Sequence, residues 1–202
     1  MSLPITLAID TAAPRLQLAV LRGDGTIDIS IDDIATGHAE LIFERIATLL
    51  SRNGLGYPDL ARVAVTTGPG SFTGLRIGLS AARGIALART IPAVGIPSLL
   101  ALSLSASGPS TVLLDARRHE AYFQMFAGPG QPVSKADIVP MAIAQAAIVP
   151  GTTLISAPFV DIALVALYGA AADPTTHPPE PDYVRDADAK PQSAARIARL
   201  TP

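Results

Sequence analysis

Apolar and polar positions alternate with a period of two at two places near the start of the chain. In Arg15–Arg22, Leu16, Leu18 and Val20 point one way and Arg15, Gln17 and Ala19 the other. In Thr26–Ile31, Ile27, Ile29 and Ile31 share a face. This is the strand period. Gly23-Asp24-Gly25 between them reads as a hairpin turn. Leu3–Asp10 is a short apolar strand, and Thr11–Pro14 turns the chain into the next. The pattern predicts a three-stranded antiparallel meander. The period then changes to that of a helix over Ala39–Arg52, ending at Asn53-Gly54, a plausible C-cap pair. On a helical wheel Ile42, Phe43, Ile46, Ala47, Leu49 and Leu50 form an apolar arc, opposite Glu40, Glu44, Arg45, Thr48 and Ser51. Leu41 falls inside the polar arc, where a partner contact would begin.

Arg62–Thr67 predicts another strand, which runs into a glycine-rich turn and a long helix over Ser71–Arg89. Ser71 or Thr73 can cap that helix. Its only polar stripe is Arg76, Ser80 and Arg83; the other faces are apolar or small. A helix of this kind is buried on more than one side. Two readings fit: a central helix sandwiched within one domain, or a helix–helix dimer interface.

Ile91–Ile96 predicts a strand and Pro97–Ser105 a short helix. Ser105–Ser110 is a candidate boundary between an N-terminal lobe (1–105) and a smaller C-terminal lobe (106–202). Beyond it the pattern predicts strands at Thr111–Asp115, Glu120–Ala127 and Thr153–Ser156, and a loop over Gly128–Pro132. Helices are predicted at Met141–Ile148, Val160–Ala171 and Ser193–Leu200, with Asp173–Pro181 irregular. The element order βββαβα organises the first lobe.

Composition narrows the function classes. A 202-residue chain that is 49% hydrophobic has ample core material. A net charge of −2 and 4% aromatic residues argue against a free-standing nucleic-acid binder, which needs basic contacts to phosphate or stacking platforms. The absence of cysteine rules out thiol nucleophiles, disulfides and cysteine-ligated metals. The apolar runs are broken by Pro and charged residues, and the N-terminus lacks a basic leader, so a cytoplasmic protein with no membrane span is expected.

Candidate chemistry is sparse. The turn Gly68–Gly74, with Gly70, Ser71 and Thr73, opens a helix and could cradle an anion. It has no P-loop lysine and no dinucleotide spacing. Asp10-Thr11 ends a strand as a phosphate- or metal-contacting pair would, but the next turn is Ala12-Ala13-Pro14, with neither glycine nor lysine. His38 has Ile42 where a second metal-binding histidine would stand, so no metal site is expected. Asp115–Glu120 gathers charges between two strands, either a solvated hairpin tip or a site using Asp115 or Arg117. Pro181–Lys190 could pin the C-terminus or touch a partner.

The block GPGSFTGLRIGLSAARGIA at Gly68–Ala86, followed by IPAVGIPSLLAL, strongly resembles the TsaB (YeaZ) family. LAIDTA at the start, His38-Ala39-Glu40, DARRHEAYFQMF at Asp115–Phe126 and YVRDADAKP near the end support it. The resemblance implies an actin-like/Hsp70-like α/β fold of two lobes, the C-terminal one reduced. It implies a non-catalytic partner subunit in forming threonylcarbamoyladenosine on tRNA, with no cofactor of its own. The implied partners are a catalytic TsaD-like paralogue and a TsaE-like ATPase, with a homodimer when alone and tRNA reached only through the complex. Pairing would use the two N-lobe helices, with candidate contacts at Leu41, Glu44, Arg45, Thr48, Ser71, Leu75, Arg76, Gly78, Leu79, Ala82 and Arg83. The alternative is a nucleotide-binding hydrolase, an ATPase or a glycoprotease-like peptidase, working through Asp10, Thr11, Gly68, Gly70, Ser71 and Thr73.

Overall fold

The structure, a computed structural model, describes residues 2–184. The predicted helix at Ser193–Leu200 lies outside the described residues. The chain opens with β1 (Thr6–Asp10), β2 (Leu16–Leu21) and β3 (Ile27–Asp32), paired antiparallel in sequence order as the alternation predicts. After α1 (His38–Arg52), β4 (Arg62–Gly68) enters parallel to β1. Then α2 (Phe72–Arg89) leads to β5 (Ala93–Pro97), parallel to β4. The first sheet is five-stranded, in the order β3-β2-β1-β4-β5.

A short helix α3 (Ser98–Ser103) passes the chain to a second sheet. There β6 (Ser110–Asp115) and β7 (Glu120–Gly128) form a hairpin, followed by β8 (Gln131–Pro132), β9 (Asp137–Pro140), α4 (Met141–Ala146) and β10 (Thr153–Ile155). The order is β10-β6-β7-β8, with β9 also on β7. The predicted loop at Gly128–Pro132 therefore contains the short β8, and β9 is an added strand. Their hydrogen bonds come from the edge of β7 rather than from any local apolar period.

Large and small side chains sort the two faces of the first sheet. Leu7, Ile9, Leu16 and Leu18 pack against Ile42, Ile46 and Leu49 of α1 and Leu79 and Ala82 of α2. On the other face Ala8, Ala19 and Ala64 are small, and this face receives α5 (Ile162–Ala171). Gly169 of α5 lies so close to it that a Cβ there would stand 2.4 Å from the Ala64 Cβ. Asp161 caps the start of α5 by accepting from the Ala163 and Leu164 N–H groups. Arg62 holds its end by donating to the Gly169 and Ala172 carbonyls, at 2.9 and 2.6 Å. Val112, Leu114 and Phe126 of the second sheet join the same core. No described helix is long and apolar enough to cross a membrane.

Candidate functional site

Two regions emerge: a cleft between the sheets and the outer face of α1 and α2. The cleft lies beyond the ends of β1, β4 and β5 of the first sheet and β6 and β10 of the second. It encloses about 450 Å³ and is lined by Asp10, Ser71, Ser98, Asp115, Arg117 and Tyr122 among others.

At its inner edge the predicted anion cradle is already occupied by protein atoms. The Ser71 N–H at the head of α2 donates to the Ala12 carbonyl at 2.7 Å. The Ser71 hydroxyl accepts from the Gly74 N–H at 3.2 Å, and the Thr11 hydroxyl donates to the Gly74 carbonyl at 2.7 Å. The glycines exist for this seam. A Cβ at Gly70 would stand 2.6 Å from the Ala12 carbonyl oxygen, and one at Gly74 would stand 2.0 Å from that of Thr11. Gly68 has φ +113, and a Cβ there would meet the Asp182 carbonyl at 2.8 Å. Thr73 is exposed on the first turn of α2.

Asp10 is 1% exposed. Its carboxylate accepts the Thr66 hydroxyl at 2.6 Å, the Gln17 amide at 3.0 Å and the Ala12 N–H at 3.3 Å. Burial pushes its pKa upward against those three bonds. A carboxylate so enclosed acts as the hub of the β1–β2–β4 seam. His38 is buried too, its Nε2 3.2 Å from the Arg15 carbonyl oxygen. No group of three or more metal-ligating side chains is assembled among the described residues.

Arg117, Arg118 and His119 at the β6–β7 tip all have left-handed backbones, with φ of 66, 53 and 65. The Asp115 carboxylate steadies the tip by accepting the Arg117 N–H at 2.7 Å. This turn brings Arg117 to the cleft.

The helical face divides the predicted contact residues. Leu75, Gly78, Leu79 and Ala82 are buried within the chain itself. A Cβ on Gly78 would meet the Thr11 Oγ1 at 2.4 Å. Glu44, Thr48, Arg76 and Arg83 are exposed, and Leu41 is half-buried against the core. Ser71 is the N-cap of α2. Arg45 is ion-paired to Asp32 at 3.0 Å and to Glu44 at 2.9 Å. Phe43 and Ala47, which the wheel puts in the apolar arc, are exposed, because the sheet receives a narrower stripe than the wheel draws. Leu87 is 83% exposed. It continues the stripe of Arg76, Ser80 and Arg83 by one more turn, and that spacing was the signal that could have found it. Arg76 lies over the Phe72 ring at 3.7 Å, and Tyr183 packs against the other side of this corner, 6.0 Å from Phe72 between ring centres. Residues 177–182 run along the first sheet: the Gly95 N–H donates to the His177 carbonyl and the Asp182 N–H to the Thr67 carbonyl.

Known proteins match this architecture. A family model described as TsaD, tRNA N6-adenosine threonylcarbamoyltransferase, matches residues 32–152. The tRNA threonylcarbamoyladenosine biosynthesis protein TsaB of Escherichia coli is 35% identical over 122 residues, 58% of this chain and 52% of its own, so the chain spans about half the length of that relative. An uncharacterised protein of Mycobacterium tuberculosis is 34% identical over 92% of this chain and 93% of its own. The crystal structure of YeaZ from Pseudomonas aeruginosa superposes with a TM-score of 0.74 at 21% identity, covering 91% of this chain and 100% of that one. The fold is thus the actin-like α/β fold. With the TsaB sequence relatives and the YeaZ architecture in agreement, this chain belongs to the TsaB (YeaZ) family.

Proposed function

We propose that the chain is a non-catalytic accessory subunit in the formation of threonylcarbamoyladenosine on tRNA, working in the cytoplasm. It supports a TsaD-like catalytic paralogue, alongside a TsaE-like ATPase, and reaches tRNA only through the assembly. Alone, it pairs with a second copy of itself. The observation that carries this reading is the outer face of α1 and α2. There Phe43 of α1 and Leu87 of α2 stand exposed, with Arg83 one turn before Leu87 and Arg76 near the start of α2, and neither arginine has an ion-pair partner among the described residues. Exposed apolar side chains ringed by charged ones are the anatomy of a protein interface.

The cleft supports the same reading from the other side. A nucleotide-hydrolysing site needs free N–H donors for phosphate and free carboxylate oxygens for a metal or water. Here the Ser71 N–H is given to Ala12, and Asp10 is engaged by three donors.

Gel filtration with the TsaD-like protein of the same organism tests the reading. The wild-type chain co-elutes with it, and the Arg83→Glu/Leu87→Glu double variant elutes separately. Unchanged co-elution of the double variant would overturn the assignment of this face.

A further inference from the structure

In that reading the cleft between the sheets hydrolyses no nucleotide, yet it is a built cavity. We propose that it binds a free α-amino acid with an apolar side chain, through Arg117, Asp115 and Ser98. The position comes first. The strands β1, β4 and β5 run parallel, as do β6 and β10, and the cleft lies beyond the carboxyl ends of both sets. Ligands of open α/β sheets settle in that crevice. A volume of about 450 Å³ suits a small molecule.

The polar groups still available select the ligand. Phosphate is disfavoured because the Ser71 N–H already has a protein partner and the Asp115 carboxylate lines the cleft beside Arg117. The Arg117 guanidinium has no carboxylate partner among the described residues, and its planar fork matches a ligand carboxylate. One Asp115 oxygen takes the Arg117 N–H, leaving the other for an ammonium. Ser98 is 3% exposed and its hydroxyl has no hydrogen-bond partner among the described residues. Buried hydroxyls are rarely left so. Ser98 lines the cavity, where a ligand oxygen would satisfy its hydroxyl. Leu102, Leu114 and Val160 supply the apolar wall for the side chain.

Calorimetric titration of the full chain with the L-amino acids one at a time tests the site, with ATP and adenosine as competing probes. The expected result is binding of leucine, valine, methionine or phenylalanine at about 1 mM or tighter. Arg117→Ala and Asp115→Asn should each weaken it at least tenfold, and Arg117→Lys, which keeps charge but loses the fork, should fall between. Because Arg117 is exposed, an unchanged circular dichroism spectrum and melting point are expected for its variants. The proposal is overturned by no amino-acid binding at about 10 mM, by binding that Arg117→Ala leaves intact, or by ATP or adenosine binding in its place. None of these outcomes touches the α1–α2 face, so the accessory reading stands or falls separately.

Discussion

Thr11 and Gly78 meet across the seam between β1 and α2 so tightly that a Cβ on residue 78 would stand 2.4 Å from the Thr11 Oγ1. Thr11 cannot give way easily. It is β-branched, buried, and its hydroxyl is bonded to the Gly74 carbonyl at 2.7 Å. A mid-helix Gly→Ala change ordinarily gains up to about 1 kcal/mol of helix propensity. Here overpacking, at about 1–3 kcal/mol, outweighs that gain. Gly78→Ala is therefore expected to lower stability in urea denaturation. Combined with Thr11→Ala, it should cost less than the sum of the two single changes.

Gly84, on the same helix, has no atom of the described residues within 4 Å of where a Cβ would stand. Gly84→Ala should stabilise the isolated chain by about 0.5–1 kcal/mol, through propensity and a less flexible unfolded chain. The sign is opposite to that at Gly78, although both are helical glycines six residues apart. Thermal unfolding of the two variants side by side checks this, and a lower melting point for Gly84→Ala would contradict it.

Asp10 gives a pH signature. Its folded pKa lies above the unfolded value of 3.8 because burial disfavours the charge. The folded state then holds the proton more tightly than the unfolded state. Its contribution falls as pH rises past 3.8 and levels off once pH passes the folded pKa, with a slope of at most about 1.4 kcal/mol per pH unit. Asp10→Asn removes the titrating group. Wild-type stability measured against that variant should decline with rising pH across this window. A difference that grows with pH would show that the hydrogen bonds from Thr66, Gln17 and Ala12 outweigh burial.

Much of this fold is legible in the sequence, for a physical reason. The strands β2 and β3 and the helices α1 and α2 each write one period over enough residues to be read, and β1 shows as a short apolar run. The placement of α5 is not written there. Its ten residues are apolar on nearly all sides, and the small residues that receive it, Ala8, Ala19 and Ala64, lie far away in the sequence. The strand β9 carries no alternation of its own and exists because β7 offers a free edge. At the site, the glycine seam is visible as a motif, but its meaning is not. The turn Gly68–Gly74 reads as a possible anion cradle and Gly78 as room for a partner helix, and only the approach of Thr11 and Ala12 shows that Gly70 and Gly74 make room for backbone and Gly78 for the Thr11 side chain. The left-handed run Arg117–His119 contains no glycine or asparagine to announce it.

The C-terminal segment depends on Gly95. A Cβ there would stand 2.2 Å from the Pro178 carbonyl oxygen and 2.6 Å from the Thr67 Cγ2, and the Gly95 N–H bonds the His177 carbonyl at 2.9 Å. Backbone cannot move aside as a flexible side-chain tip can. Gly95→Ala should therefore release residues 177–182 while the buried first sheet stays folded. Limited proteolysis should then cut within this segment much faster than in the wild type, and Gly95 amide exchange should accelerate. Resistance equal to the wild type would mean that the Tyr183–Phe72 contact and the Asp182–Thr67 bond hold the segment without it.

Leu79 and Leu87 stand on one helix at 4% and 83% exposure, and this contrast separates folding from association. Leu79 packs with the core under α1 and α2. A lysine there buries a charge without a partner, and loss of the folded state is the expected outcome. Leu87 has little burial to lose, so Leu87→Lys should change stability by no more than about 0.5 kcal/mol. If the outer face of α2 is where copies of this chain meet, the same change places a desolvated charge in an apolar contact and weakens self-association by tenfold or more. Sedimentation measured beside urea denaturation reads the two quantities separately. A Leu87→Lys chain that keeps both wild-type stability and wild-type self-association would move the interface away from this end of α2. The cluster of Phe72, Arg76 and Tyr183 at the other end would then be the next place to look.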